Sequence, residues 1–440
     1  MAMLLALQTQ LRIAGAGPGV ALLALCIVPA LGLALWRGAA GVRRDALALF
    51  AFWALLGAAM SLGSIASTVR AILVDVSLVS HDIGAYILLT LLTLSFATLP
   101  GRAQRLRRIQ WWVAIFGACL SALQFANAFG PLSLSGVDPW YWDRMRGWAE
   151  NPNQFALFSL LVGFCALALI DGCETRAHKA TAALCAAVAL GVGFQSKSNA
   201  YSLMVGAGLA VYLALKAGRA VLAAERSGFP AIGALLTLAS AAGFVLTLVS
   251  AQVNLNRDLK AMAGGIARKG DDESADAALR LELWRQAVEV GWSSGGFGLG
   301  PGPHLAIPPS LIAARKEEDE PKYVAHPKEG VAPNFEAHNT VLELFVQGGV
   351  LAVGAFAWIL ATGVRRAWRA GQDGVIALIV ATIAFGSFHV IFRHPLVWFC
   401  LCLGVLAESA RAPGGALGVK AGRAAARPFH FYLAERGAPT

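Results

Sequence analysis

The stretch NPNQFALFSLLVGFCALALI (151–170) passes from a polar turn into residues 152–170, which hold no Asp, Glu, Lys or Arg. A bilayer core needs about 20 such residues per helix. The pattern recurs along the chain, at 18–36, 45–66, 83–99, 111–128, 152–170, 178–194, 199–215, 229–251, 340–364, 373–390 and 395–409. These runs predict an all-α, polytopic membrane bundle of about eleven transmembrane helices, with residues 1–14 as a possible twelfth.

Composition agrees with that reading. Of 440 residues, 57% are apolar and 14% charged, where an ordinary soluble domain carries roughly 25% charged residues. Mean hydropathy is +0.61. A water-soluble enzyme of this make-up would expose far too much apolar surface, and a disordered chain is excluded for the same reason. The formal charge of +10 is in a membrane protein first a statement about topology, and no nucleic-acid partner is expected. The 7 cysteines fall mostly inside apolar runs and act as small buried hydrophobes, without the spacing of a disulfide framework or a zinc site. The N-terminus lacks a basic stretch followed by a small-residue cleavage site, so no cleaved signal peptide is expected.

The connections alternate in charge. Segments 37–44 and 101–108, Arg176/Lys179, Lys216/Arg219/Arg226, Arg365/Arg366/Arg369 and the tail with Arg411, Lys420, Arg423 and Arg427 are basic and are expected in the cytoplasm. Segments 67–82, 128–151, 195–198, 252–338 and 389–394 then face outward, into the periplasm if the membrane is a Gram-negative inner membrane. An even number of spans places both termini inside, and an odd number leaves the N-terminus outside. Four units follow: an N-terminal transmembrane bundle (1–251), a large periplasmic loop (252–338), C-terminal transmembrane helices (339–410) and a basic cytoplasmic tail (411–440).

Chemistry is sought where polar residues cluster on one side of a bundle. The long outward loop opens polar (254–265), then predicts a helix with Leu281, Trp284 and Val288 on its apolar face. It stops in WSSGGFGLGPGP (292–303) and carries an acid run, KEEDE (316–320). Five pieces stand out: RMRGWAENPNQFA (144–156); the hairpin QSKSNAY (195–201); Arg280 with Trp284; GFGLGPG (296–302); and NFEAHNTVLELFVQGGV (334–350), with His338 at the mouth of a span.

In these pieces the chain resembles the O-antigen ligase family, within the wider group of O-antigen ligases and polymerases. The matching residues are Arg144, Gly147, Asn151, Pro152 and Asn153; Lys197; Arg280, Trp284, Gly298, Gly300 and Gly302; and His338, Asn339, Leu342, Glu343 and Gly348. Order and spacing cover roughly residues 140–350. Where the family usually has Arg in the short hairpin, this chain has Lys197, a point charge in place of a bidentate fork. The resemblance implies an architecture like that of the lipid-dependent (GT-C-like) glycosyltransferases. It implies transfer of a sugar chain from undecaprenyl pyrophosphate to a hydroxyl of lipid A–core, on the periplasmic face and without cofactor or metal.

Elementary chemistry points to the same residues. A diphosphate leaving group builds negative charge as the glycosidic bond breaks, and fixed cations stabilise it. Arg280, Lys197 and Arg144 are the outward cations best placed for this, with Arg146 a near substitute for Arg144. Membrane-lipid headgroups are the competing ligands for the same cations. A sugar hydroxyl is a poor nucleophile and needs a base. His338 fills that role at a helix start, where the positive dipole end favours a neutral ring. Attack opposite the diphosphate then inverts the anomeric centre. Asn153, Trp284 and Asn339 are secondary substrate-binding candidates, although Asn153 could simply start a helix with Pro152. The glycine run lets backbone approach the lipid or the loop helix; without a preceding strand it is no dinucleotide loop. His389, Arg393 and His394 form a second outward cluster that either lines the same cavity or caps two helices.

Two further enzymes would use the same lipid-linked donor: an O-antigen polymerase and a protein O-oligosaccharyltransferase. A transporter is the reading from another class. It expects charges near the bilayer midplane and internal repeats, whereas here charges gather at one surface and no repeat of the halves is seen.

Overall fold

The computed structural model describes residues 1–11, 17–36, 44–98, 102–130, 132–134, 136–227, 239, 272–306 and 333–407. Their helices are α1 (Ala2–Leu5), α2 (Pro18–Trp36), α3 (Arg44–Val69), α4 (Val76–Thr98), α5 (Arg102–Phe129), α6 (Pro152–Ile170), α7 (Arg176–Gly193), α8 (Asn199–Ser227), α9 (Asp272–Ser293), α10 (Thr340–Arg369), α11 (Asp373–Gly386) and α12 (Pro395–Val405). A short hairpin, β1 (Trp140–Tyr141) with β2 (Arg144–Met145), lies between α5 and α6. Seven helices are long and apolar enough to cross a membrane, and three shorter apolar ones begin at Pro18, Asp373 and Pro395. The chain is therefore a polytopic all-α membrane protein. The run 229–251 apart from residue 239, segments 254–265 and 316–320 and the tail 411–440 lie outside the described residues.

The ends of the helices follow local chemistry. Asn151 caps α6, its side chain accepting from the Gln154 N–H at 2.9 Å, and Pro152 occupies the first turn, where its missing N–H costs nothing. Asp75 caps α4 by accepting from Ser77 and Leu78 N–H at 2.9 and 3.2 Å. α4 thus begins seven residues before the apolar run that announced it at 83, and it takes His81 and Asp82 into the helix. Asn339 caps α10 through Val341 and Leu342 N–H, at 3.0 and 3.1 Å.

α6 is the centre of one packing group, 78% buried over its apolar window and flanked by α5, α7 and α11. α10 is the centre of another, against α3, α9, α11 and α12. At one end, Asp171 accepts from Lys216 (2.7 Å) and from the Gly374 N–H (2.8 Å), while Arg219 Nε meets Asp373 at 2.7 Å. These bonds fasten α6, α8 and α11 together.

At the opposite end, Gln10 N–H donates to the Trp148 carbonyl at 2.9 Å and its side chain to that of Ala149 at 2.6 Å, while Thr9 bonds Gln154 at 3.0 Å. Residues 9 and 10 are thereby held beside the 138–150 segment. Helix α1 has 4 residues, far short of the length that crosses a bilayer.

The loop helix differs from its expected face. Leu281 and Val288 are 39% and 42% exposed, and Leu283 and Ala287 are the fully buried residues. They pack with Leu305, Ala337 and Val346. A count of large apolar side chains passes over Ala287, and that small residue lets α9 approach the bundle closely.

The glycine run after α9 stays bonded to that helix, Gly296 N–H donating to the Gly291 carbonyl at 3.2 Å, and it also lies against the backbone of α10. That helix is broken at Gly349 (φ 62°, ψ −157°). The opened turn is repaired from outside: Leu299 and Gly300 N–H donate to the Val346 and Gln347 carbonyls, both at 2.8 Å, and Val350 N–H donates to the Gly296 carbonyl at 2.9 Å. Unpaired backbone groups are costly in a bilayer, so a break of this kind needs such a partner. A Cβ on Gly349 would lie 1.9 Å from the Gly296 oxygen. Gly349→Ala is expected to destabilise the purified protein by more than about 1 kcal/mol, seen as a lower thermal midpoint. Gly354→Ala, in the same helix with nothing within 4 Å, should leave that midpoint unchanged or raise it.

Candidate active site

The site end of the bundle collects the β1–β2 hairpin, the 194–198 turn, α9, the start of α10 and the α11–α12 connection. Arg144, on β2, donates from Nε to the Ser196 carbonyl at 3.0 Å and from Nη2 to Asn153 Oδ1 at 3.3 Å. The first two motifs are therefore one assembly. Asn153 does not cap α6, a task that falls to Asn151; it holds Arg144 instead. Lys197 closes the turn in a left-handed conformation (φ 47°), and its ammonium pairs with Asp143 at 2.8 Å. Both side chains are more than half exposed. The ammonium beside it holds the Asp143 carboxyl below its ordinary range. Arg146 turns elsewhere, bonding Asp138 Oδ2 at 2.9 Å and the Asp138 carbonyl at 3.0 Å, with its guanidinium over the Tyr141 ring. It does not share the bonds of Arg144.

His338 stands in a backbone segment whose neighbours are all tied down. Phe335 exchanges both backbone bonds with Leu305, at 2.9 and 3.1 Å. Glu336 pairs with Arg393. Ala337 N–H donates to Glu343 Oε2 at 2.8 Å. Asn339 caps α10 and also donates to the Ser387 carbonyl at 2.9 Å. Between them, His338 is exposed and left-handed (φ 49°), a conformation that costs a non-glycine residue roughly 1–2 kcal/mol. Such strain persists only where surrounding bonds over-determine it.

Arg393 anchors this arrangement. Its guanidinium bridges Glu336 and Asp82, and Asp82 is 1% exposed. The other Asp82 oxygen accepts from Gly302 N–H and from Gln347 Nε2, each at 3.1 Å. Gln347 further donates to Glu343 at 2.9 Å and accepts from Tyr86. The start of α10, α4, the glycine run and the α11–α12 connection are thus joined by one buried polar network. Sequence reasoning missed Asp82 and Gln347. Their signal was available: ionisable or amide side chains inside apolar helices are seldom placed without a partner.

The α11–α12 connection brings His389 to the same place. Thr340 Oγ1 donates to its carbonyl at 2.7 Å, and its ring lies 4.6 Å from that of Phe385. Arg280, His338 and Arg144 are ionisable groups within electrostatic reach of that ring. Residues from β2, α9, the α10 entrance and the α11–α12 connection therefore lie within electrostatic reach of one ring. Arg280, one helical turn before Trp284, has no carboxylate partner among the described residues. Trp284 faces Phe388, with ring centres 6.4 Å apart, and its indole N–H is buried without a partner among the described residues. Burial, then Arg280 and other ionisable neighbours, push the His389 imidazole down to about 3. Burial and Arg393 push His394 down to about 4. Among the described residues no group of three or more His, Cys, Asp or Glu is arranged to hold a metal ion.

Two consequences can be measured. His389 and His394 are held neutral in the fold, while their ordinary value is 6.5. The unfolded chain therefore binds more protons below that value. Their contribution to stability is complete above pH 6.5 and is lost as pH falls toward 4. The thermal midpoint should drop across that window, and His394→Gln should flatten the drop. Removing one partner of a buried ion pair costs about 3–5 kcal/mol, so Asp82→Ala should lower folded yield and midpoint sharply. Asp143→Ala, at an exposed pair, should change stability by less than about 1 kcal/mol.

Residues 154–359 match the family model for O-antigen ligase. The matched stretch takes in Lys197, Arg280 and His338, and leaves Arg144 and His389 outside. No curated protein and no solved structure matches the chain.

Proposed function

Residues 154–359 carry an O-antigen ligase family domain, which supports membership of the O-antigen ligase superfamily, and on that premise we propose that the chain is a glycosyltransferase of lipopolysaccharide synthesis. The proposed reaction transfers O-antigen polysaccharide from undecaprenyl pyrophosphate to a sugar hydroxyl of lipid A–core, at the periplasmic face of the inner membrane. The observation that carries this reading is the family match over residues 154–359, which takes in Lys197, Arg280 and His338.

Arg280 and Arg144 hold the diphosphate and take up the charge that develops as the anomeric carbon–oxygen bond breaks. Lys197 joins them by exchanging its exposed Asp143 partner, a pair worth about 0–1 kcal/mol, for a phosphate oxygen. Arg146, committed to Asp138, binds substrate only at the rim. The acceptor oxygen forms the new bond from the opposite side, its proton passes to His338, and the product is the inverted anomer. Asn153 positions Arg144, Asn339 fixes the α10 entrance beside His338, and the Trp284 indole N–H meets the sugar or phosphate. No metal takes part in this scheme.

His338→Ala should reduce turnover by about 10²–10⁴-fold, the usual worth of a positioned base. In cells it should leave lipid A–core uncapped while polymer accumulates on the carrier. Purified protein with both lipid substrates and a chelator tests the scheme directly: transfer should proceed unimpaired and the product anomer should be inverted. Deletion that leaves single repeat units on the core would instead identify a polymerase. Loss of glycoprotein bands with unchanged lipopolysaccharide would identify a protein O-oligosaccharyltransferase.

A further inference from the structure

The α11–α12 connection is built to deliver a side chain, and the scheme above gives that side chain no task. Asn339 and Thr340, the first residues of α10, bond the carbonyls of Ser387 and His389 at 2.9 and 2.7 Å, and Ile391 N–H returns a bond to Thr340 Oγ1 at 3.1 Å. The His389 backbone is thereby registered to the residue following His338 and Asn339. Its ring is placed by Phe385, 4.6 Å away. Neither ring nitrogen is hydrogen-bonded to a described residue. Behind the same connection, the Trp284 indole N–H is buried and unpartnered among the described residues.

A half-buried ring with open nitrogens, beside Arg144 and Arg280, has a specific use if those cations hold a diphosphate. We propose that His389 is a further phosphate ligand of this site, its imidazole donating a ring N–H to a diphosphate oxygen held by Arg144 and Arg280. The assignment rests on the functional reading above and adds to it a residue outside the family match. A third cation at this place would repel the two guanidiniums whenever no anion is bound. A neutral donor adds a hydrogen bond to the anion without that repulsion.

The test uses full-length protein in lipid nanodiscs with inorganic pyrophosphate as the probe. His389→Phe keeps a ring against Phe385 and removes the donor; His389→Gln restores an N–H. His389→Phe should weaken pyrophosphate binding by about tenfold, the value of one hydrogen bond to a charged group. KM for the lipid donor should rise in parallel, KM for the acceptor should stay constant, and His389→Gln should recover most of the loss. In wild-type protein, pyrophosphate should slow carbethoxylation of His389, read on the isolated peptide, so the proposal remains testable if His389→Phe does not fold. Pyrophosphate binding by His389→Phe equal to wild type, or an unprotected His389, overturns the proposal. If Arg280→Ala loses pyrophosphate while His389→Phe keeps it, the assignment of His389 falls and the diphosphate site stands. If wild-type protein binds no pyrophosphate, both fall.

Discussion

A single guanidinium, that of Arg393, reaches back 311 positions to Asp82 on α4 and 57 positions to Glu336 before α10, joining the three. Charges at such depth are tolerated only when paired and when their remaining hydrogen-bonding capacity is filled. Here Gly302, Gln347, Tyr86 and Glu343 fill it. The network determines where the segment before α10 runs, and hence where His338 stands. The strained conformation of His338 is maintained by the bonds of its neighbours along the chain.

The helices were legible because long charge-free runs have few alternatives in a bilayer. Ten of the eleven runs coincide with described helices. Boundaries were less legible where polar residues continue a helix past its apolar part, as Ser77, Ser80, His81 and Asp82 do in α4. The connection after α11 begins at Ser387, earlier than the apolar run suggests, because its carbonyls are drawn to Asn339 and Thr340. The face of α9 was misread because Ala287, invisible to a hydrophobic count, is what packs.

Of the site, the types of residue were legible and their partners were not. Arg144 and Arg146 are equivalent in sequence terms, two positions apart, and the hairpin separates them: one reaches Asn153 and the 194–198 turn, the other Asp138. For His389 the sequence left open a cavity wall or a helix cap, and only the bond from Thr340 shows that it lies at the start of α10. The glycine run has the same character. Its composition permits close approach, but the identity of the approached backbone depends on a break in α10 that no local pattern announces.

The pairing of Lys197 with Asp143 is exposed, whereas that of Arg393 with Asp82 is enclosed. Dissolved ions screen charges in contact with water over about 8 Å at physiological ionic strength, and reach enclosed pairs far less. Raising the salt concentration therefore loosens the tether between the β1–β2 hairpin and the 194–198 turn while leaving the stem of His338 fixed. The two pairs differ in their response to the surrounding electrolyte, and that difference is set by how much water each one touches.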